Sequence, residues 1–432
     1  MPGLIQARVL KGFRDMLPEQ EIERSLFIEQ LVSLFRAWGF SPIDTPALEY
    51  AEILLGKGGG ETEKQVYRFM DQGGRDVALR FDLTVPLARF VAEHSHELAF
   101  PFKRYHIAKV WRGENTQRGR YREFVQCDFD IVGSESLASD AEILLLMRAA
   151  LSAIGAPDTE IRVSHRGLFN RFLARIGAEG QAVAVLRAVD KLSKIGKDAV
   201  LALLEESCPG KGEAILEFIG SGGGVAETLD RLEAISGGPS DESRRLRELF
   251  ALFENAGALG SFVIDPSITR GLDYYTGIVY ETYLKELPTL GSVCSGGRYD
   301  GLAGLYSKEP LSGIGASIGL DRLISGLESL GRSTRKASFS IALIHPLDES
   351  ELARCFMIAD RLRSEGIACE VYGERKKLAQ LFAFAEKKGI AFALLVGGGA
   401  GSITLRDLTA RRSVEGLGIQ EAIAAIKASL PE

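Results

Sequence analysis

Between Arg112 and Asp130 the chain reads Arg112-Gly113-Glu114, a basic loop, then Gly119-Arg120-Tyr121-Arg122-Glu123-Phe124 running into Gln126-Cys127-Asp128-Phe129-Asp130. This pattern predicts two strands joined by a long arginine-rich loop. In the second strand Val125, Cys127, Phe129 and Ile131 point one way, and Phe124, Gln126, Asp128 and Asp130 point the other. The first face is predicted core. The second carries an aromatic ring, an amide and two carboxylates beside several arginines. A merely solvated face would draw on Lys, Glu, Ser and Thr, whereas this one suits a small, highly polar molecule held next to phosphates.

The bulk numbers narrow the classes. A chain of 432 residues predicts two or three domains, and 46% apolar content supports real cores. A net charge of −6 with a pI near 5.7 argues against a general nucleic-acid glue, leaving room for local basic patches. The five cysteines (127, 208, 294, 355 and 369) form no CxxC pair, so neither a zinc knuckle nor a disulfide framework is expected. A reduced cytoplasmic setting fits. The five histidines show no metal-ligand spacing. No run of about 18 apolar residues and no signal-peptide pattern occur, so a soluble protein with no membrane partner is expected.

Residues 19–38 read as an amphipathic helix with Pro18 at its start and Gly39 as its stop. Ser41 to Pro46 is extended, because each proline pushes its predecessor out of the helical region. A second helix is predicted over 140–154, with Ser139 and Glu142 as a capping box and Gly155 as the stop. From about 170 to 260 leucine, alanine and glutamate recur in helical periods, which reads as a helical insertion. Strand-like sequence resumes at 261–264. A polar linker lies near 331–336. Beyond it the order is strand (340–344), helix (349–364), strand (369–372), helix (377–388), strand (391–396), two short strands and a last helix, which predicts a separate three-layer α/β domain.

Three further segments carry candidate chemistry. In Leu79-Arg80-Phe81-Asp82-Leu83-Thr84, the Asp-x-Thr pair offers acceptors, with a capped helix start as the plain alternative. In Arg270-Gly271-Leu272-Asp273-Tyr274-Tyr275-Thr276-Gly277 one tyrosine can pack while the other presents its hydroxyl, with a hairpin bearing a surface arginine as the alternative. Ser295-Gly296-Gly297-Arg298-Tyr299-Asp300-Gly301 and Gly313 to Leu323 are glycine-rich. The latter is spaced GxGxxxG and lacks a βαβ unit with a ribose-binding acid, so it fails as a dinucleotide fingerprint. The glycines instead let a strand lie against a ligand or a helix, and Arg322 opens the helix that follows. His106 and His165 read as structural histidines, Cys127 as core, and Asp128 has no assigned partner.

Together these segments resemble the histidyl-tRNA synthetase family of class II, over essentially the whole chain. Residues 11–18 look like the family's N-terminal opening. Residues 39–49 look like class II motif 1, Arg112 to Asp130 like motif 2, and 315–323 like motif 3. Arg270 to Tyr275 and Gly296 to Gly301 resemble the family's two histidine-recognition signatures. The implied fold is α+β: a class II antiparallel sheet with flanking helices (1–330), a helical insertion (about 170–260), a linker (331–338) and a C-terminal α/β anticodon-binding domain (339–432). The segment Arg80-Phe81-Asp82-Leu83-Thr84 follows the eukaryotic and archaeal flavour of its motif. Gly397 to Gly401 departs from the more acidic family pattern.

The resemblance implies a histidine–tRNA ligase that uses ATP with Mg²⁺ and no protein-held metal, acting on L-histidine and tRNA(His). Arg112 and Arg270 would clamp the α-phosphate and the amino-acid carboxylate, as a bidentate, permanently charged fork can. Arg120 would reach the outer phosphates, and Phe124 and Arg322 would sandwich the adenine. Glu114 would contact either the adenine side or the metal. Asp82, Thr84 and Gln126 would accept from the α-ammonium, and Asp130 with Tyr274 and Tyr275 would read the imidazole, Tyr275 as the donor. The loop 115–118 would touch the acceptor stem. Motif 1 implies a homodimer. The alternative is a non-catalytic paralogue serving as a regulatory subunit of ATP phosphoribosyltransferase; such relatives usually lack the tail and several motif arginines.

Overall fold

The computed structural model describes residues 4–56, 61–220, 222–268, 275–301, 304, 306, 311–333, 335–399 and 402–429. Arg270 and Tyr274 therefore lie outside the described residues. The chain divides into two compact units, residues 1–14 with 27–333, and residues 15–26 with 334–432.

In the first unit the strands are β1 (Ser41–Pro42), β2 (Leu48–Tyr50), β3 (Arg68–Met70), β4 (Asp76–Leu79), β5 (Phe102–Trp111), β6 (Glu123–Val132), β7 (Thr159–His165), β8 (Phe262–Ile264), β9 (Ile278–Leu284), β10 (Cys294–Tyr299) and β11 (Gly313–Gly319). Eight of them form one sheet in the order β1-β5-β6-β11-β10-β9-β7-β8. Every inner pair is antiparallel. The two outer pairs, β1 with β5 and β7 with β8, are parallel, so the sheet is mixed. Parallel pairing needs a long crossover, and both edge strands return through helical segments. A three-stranded antiparallel sheet, β2-β4-β3, stands beside it.

The alternation read in β6 sorts its side chains as expected. Val125, Cys127, Phe129 and Ile131 join one continuous core with Phe35 of the helix Pro18–Ala37 and with Leu144, Met147 and Leu151 of the helix Leu137–Ala153. Burying each such large apolar side chain contributes about 1.5–3 kcal/mol. The same core takes in Phe169, Phe172, Phe218, Leu249 and Phe253 from the insertion, whose helices run from Arg166–Arg175 to Asp241–Asn255.

The helix after β6 starts three residues earlier than its sequence suggests. Its cap is Ser136, whose Oγ accepts from Ala138 N at 3.2 Å. Ser139 lies inside the helix and donates to Ser134 Oγ at 2.8 Å, and Glu142 accepts from Lys103 Nζ at 2.5 Å. Asp140 is fully buried and meets Arg245 and Arg298. Those two arginines anchor the first turn, which leaves Ser136 as the cap.

The second unit holds β12 (Ala342–Pro346), β13 (Cys369–Val371), β14 (Phe392–Val396), β15 (Ile403–Asp407) and β16 (Arg412–Leu417), in the order β13-β12-β14-β15-β16. The first three are mutually parallel and the last two turn back antiparallel. Helices Leu352–Ser364 and Ile419–Ser429 cover one face over Ile344, Leu394 and Val396. Helix Leu378–Lys387 covers the other over Leu343, Ala393 and Leu395. This is the three-layer α/β domain expected from the element order. Among the described residues no helix is long and apolar enough to cross a membrane.

Candidate active site

Register places the polar residues of the large sheet on one face. Arg104 of β5 stands opposite Asp130 of β6, Asp130 opposite Gly315 of β11, and Gly315 opposite Gly297 of β10. Two residues along, the same row reads His106, Asp128, Ser317 and Ser295, and two further it reads Ala108, Gln126 and Gly319. Because side chains alternate with a period of two, these rows share the face opposite the apolar core. That face is not solvated: Arg104 is 0% exposed, Asp128 2%, Asp130 3% and Gln126 7%.

Asp130 is gripped from two neighbouring strands. Tyr299 of β10 donates to its Oδ1 at 2.7 Å, and Arg104 Nη2 lies 2.7 Å from its Oδ2. Gly315 makes this possible, since a Cβ there would fall inside the Asp130 carboxylate. Gly297 in turn leaves room for the ring of Tyr275, which a Cβ would meet at 2.9 Å. The central glycines thus seat neighbouring side chains of the site, a more specific role than the close approach of a ligand or helix read from their spacing. Tyr275 is half-buried and packs with Ala88, Tyr299 and Tyr306.

Among the described residues, several polar atoms here are buried without a hydrogen-bond partner: Arg104 Nε and Nη1, His106 Nδ1, Gln126 Oε1, Asp128 Oδ1 and Asp130 Oδ2, the last meeting Arg104 only as an ion pair. Gln126 fixes its amide by donating from Nε2 to Ser317 Oγ at 2.6 Å, so its oxygen remains an available acceptor. A buried polar atom left unpaired costs about 1–3 kcal/mol. Six on two adjacent strands, all on one face, mark a surface shaped for something polar other than itself.

Asp82 enters from the segment before the helix Thr84–His94 and is 7% exposed. Its Oδ1 accepts from Val85 N at 3.1 Å, so it does cap that helix. Burial raises its pKa, opposed by the Val85 N–H and by Arg112 and Arg104. Thr84, half-buried, opens the helix. Burial pushes Asp128 up to about 7, with Arg104 pulling it down and Asp130 pushing it further up. Burial also raises Asp130, opposed by Arg104 and Tyr299. His106 is held at about 4 by burial and by Arg104 and Arg80, and shares Nε2 with Asp44 Oδ1 at 3.0 Å. His165 sits at about 4, also through burial, and accepts from Gly167 N at the start of the helix Arg166–Arg175. Both read as structural.

The basic end of the face lies at the far end of β6. Arg112 donates from Nε to Phe81 O at 2.8 Å, and its guanidinium lies 5.2 Å from the centre of the Phe124 ring. Arg120 Nη1 is 3.7 Å from Glu114 Oε2. Arg322, in the first turn of the helix Leu320–Ser329, donates from Nη1 to Ser292 O at 2.7 Å. Next to it Asp321 receives Val125 N at 2.7 Å and pairs with Arg14. Residues 115–118 are exposed.

The structure therefore brings together Asp82, Arg112 and Phe124 at one end and Gln126 and Asp130 along the same strand. Arg104 and Tyr299 join this cluster; Tyr299 lies in the segment 296–301 already read as a signature, whereas Arg104 was not singled out in the sequence. The alternation of Arg104 and His106 with Tyr105 and Ile107 puts Arg104 on the polar face, but its meeting with Asp130 depends on strand register.

Likeness to known proteins extends over nearly the whole chain. The family model described as histidyl-tRNA synthetase matches residues 12–323, and that of an anticodon binding domain matches residues 341–429. A histidine–tRNA ligase of Treponema denticola is 53% identical over 99% of this chain and 100% of its own length. One of Treponema pallidum is 51% identical over 94% of this chain and 95% of its own. The crystal structure of histidyl-tRNA synthetase from Nostoc sp. PCC 7120 superposes with a TM-score of 0.89 at 32% identity, covering 99% of this chain and 100% of that one. On the family match and on these identities, the chain belongs to the histidyl-tRNA synthetase family.

Proposed function

We propose that this chain is a histidine–tRNA ligase: it joins L-histidine to ATP as histidyl-adenylate, releasing diphosphate, and passes the histidyl group to the 3′ end of tRNA(His). The observation that carries the reading is the buried polar face of β6, where among the described residues Gln126 Oε1 has no donor and Asp130 Oδ2 meets only the Arg104 ion pair. The zwitterionic, imidazole-bearing substrate supplies such donors. Its α-ammonium would meet Asp82, Thr84 and Gln126, and its imidazole N–H would meet Asp130, with Tyr274 and Tyr275 supplying the opposing hydroxyl. A site built to hydrogen-bond a substrate group rejects analogues lacking it by about 10⁴–10⁵, which suits a ligase that must choose one amino acid.

In adenylation the histidine carboxylate attacks the α-phosphate, and negative charge gathers on phosphorus. Arg112 and Arg270 would stabilise it as fixed cations. Arg120 would reach the outer phosphates, with Glu114 alongside, and Phe124 and Arg322 would stack on the adenine. Mg²⁺ would arrive on the ATP phosphates. Domains at 1–330 and 339–432, a linker at 331–338, a homodimer and a cytoplasmic setting complete the proposal. The exposed Leu48, Tyr50, Phe69 and Met70 on the β2-β4-β3 sheet support the homodimer. The regulatory-subunit alternative is less supported, because the chain keeps Arg112, Arg120, Arg270, Arg322 and its tail.

Histidine-dependent exchange of diphosphate into ATP is the test. Asp130→Ala should abolish it while the protein stays folded, and Arg270→Ala should slow adenylation at least about 10²-fold. Near-normal exchange by Asp130→Ala would remove that carboxylate from the pocket.

A further inference from the structure

The Asp130 carboxylate is held by more than its own strand, and the group holding it is unusual. Arg104 is wholly buried, and its guanidinium has one ion pair, to Asp130, and one long contact from Nη2 to Leu83 O at 3.4 Å. Among the described residues its Nε and Nη1 have no hydrogen-bond partner. Two other buried arginines of the same unit, Arg80 and Arg298, are better satisfied. Arg80 donates from Nε to Lys109 O at 3.0 Å and from Nη1 to Thr45 O at 2.6 Å. Arg298 reaches Asp140, Ser134 O and Ser312 Oγ. An arginine kept for stability is expected to look like those two, since burying an incompletely paired cation is costly. Arg104 instead stands on the same row as Asp130 and within the electrostatic reach of Asp82 and Asp128.

We infer that Arg104 is a positioning residue for histidine recognition: with the Tyr299 hydroxyl it fixes Asp130 as an oriented anion that accepts the imidazole N–H. The inference rests on the proposed assignment of Asp130 to the imidazole. An ionised carboxylate only accepts, and offers about four lone-pair positions. Tyr299 uses one on Oδ1, and the guanidinium lies beside Oδ2 without closing it. What remains is an acceptor of fixed direction. Without the cation, Asp130 would be a buried carboxyl beside another, Asp128. Burial would then favour its protonated form, and a protonated carboxyl offers a donor where the substrate also offers one.

The test is steady-state diphosphate exchange with the full-length protein, titrating histidine and ATP separately. Arg104→Met should raise the histidine KM at least about 30-fold, the scale of removing one partner of a buried charge pair, with the ATP KM within about twofold of wild type. Arg104→Lys, which restores a cation without the fork, should recover at least about threefold of that loss. Tyr299→Phe should raise the histidine KM by a smaller factor with the same selectivity, and it keeps the question open to measurement if Arg104→Met fails to fold. An unchanged histidine KM in Arg104→Met, or in Arg104→Lys and Tyr299→Phe both where Arg104→Met is insoluble, would overturn the inference. So would equal increases for histidine and ATP. If Asp130→Ala is inactive while the Arg104 variants bind histidine normally, only the role of Arg104 falls. If Asp130→Ala itself retains exchange, the pocket assignment falls first.

Discussion

Strand β6 of the first unit and strand β14 of the second are both buried along almost their whole length, for different reasons. Every residue of β14, Phe392 to Val396, is apolar and meets a helix layer on one face or the other. In β6 only alternate residues do this; the intervening Gln126, Asp128 and Asp130 are equally hidden from water yet leave polar atoms unpaired. Burial on its own does not distinguish the two strands. The distinction lies in what the second face asks for: β14 asks for helices and has them, whereas β6 asks for hydrogen bonds that the described residues do not supply.

If that contrast is right, small changes should have unlike effects on the two strands. The largest is expected from Gly315→Ala, one methyl group added opposite β6. It would displace the Asp130 carboxylate, and a misplacement of about 1 Å at a reacting centre can cost about 10²-fold. Exchange activity should fall by that order or more, and the melting temperature should drop with it because the displaced carboxylate loses its pairing with buried Arg104; unchanged activity would mean that the position of Asp130 does not matter. Next comes Asp128→Asn. With a folded pKa near 7 raised by burial, against about 3.9 in an unfolded chain, wild-type stability should decline as pH rises from about 4 to about 7, because the native state holds the proton that the unfolded chain releases. The asparagine variant should lose on the order of 1–2 kcal/mol less over that window; parallel denaturation curves at pH 4.5 and 7.5 would contradict the burial of that carboxyl. The smallest effect belongs to the apolar strands: Ile344→Val on β12 should cost about 1 kcal/mol by chemical denaturation and leave diphosphate exchange intact.

Much of this contrast was legible in the linear chain. The alternation from Phe124 to Ile131 separates the two faces without any coordinates, and the α/β order after residue 339 matches the observed elements. Other features were not, for physical reasons. Arg104 finds Asp130 through strand register, which no local pattern encodes. Ser136 and Ser139 are chemically equal candidates for one helix cap, and the choice is settled by Arg298 holding Asp140 from 158 positions away. The parallel edges β1 and β8 are two and three residues long, too short to display a period.

The shared core between sheet and insertion has a consequence for how this molecule can change. Phe172 and Phe253 sit in the same apolar mass as Phe129 and Ile161, so the helices of residues 166–255 form the back wall of the catalytic sheet. Excising them would leave β7 and its neighbours facing water, and swapping in another insert would demand a new lining for the sheet as well. Variation in that segment is confined to its outer surface, while its inner one is tied to the strands that carry the chemistry.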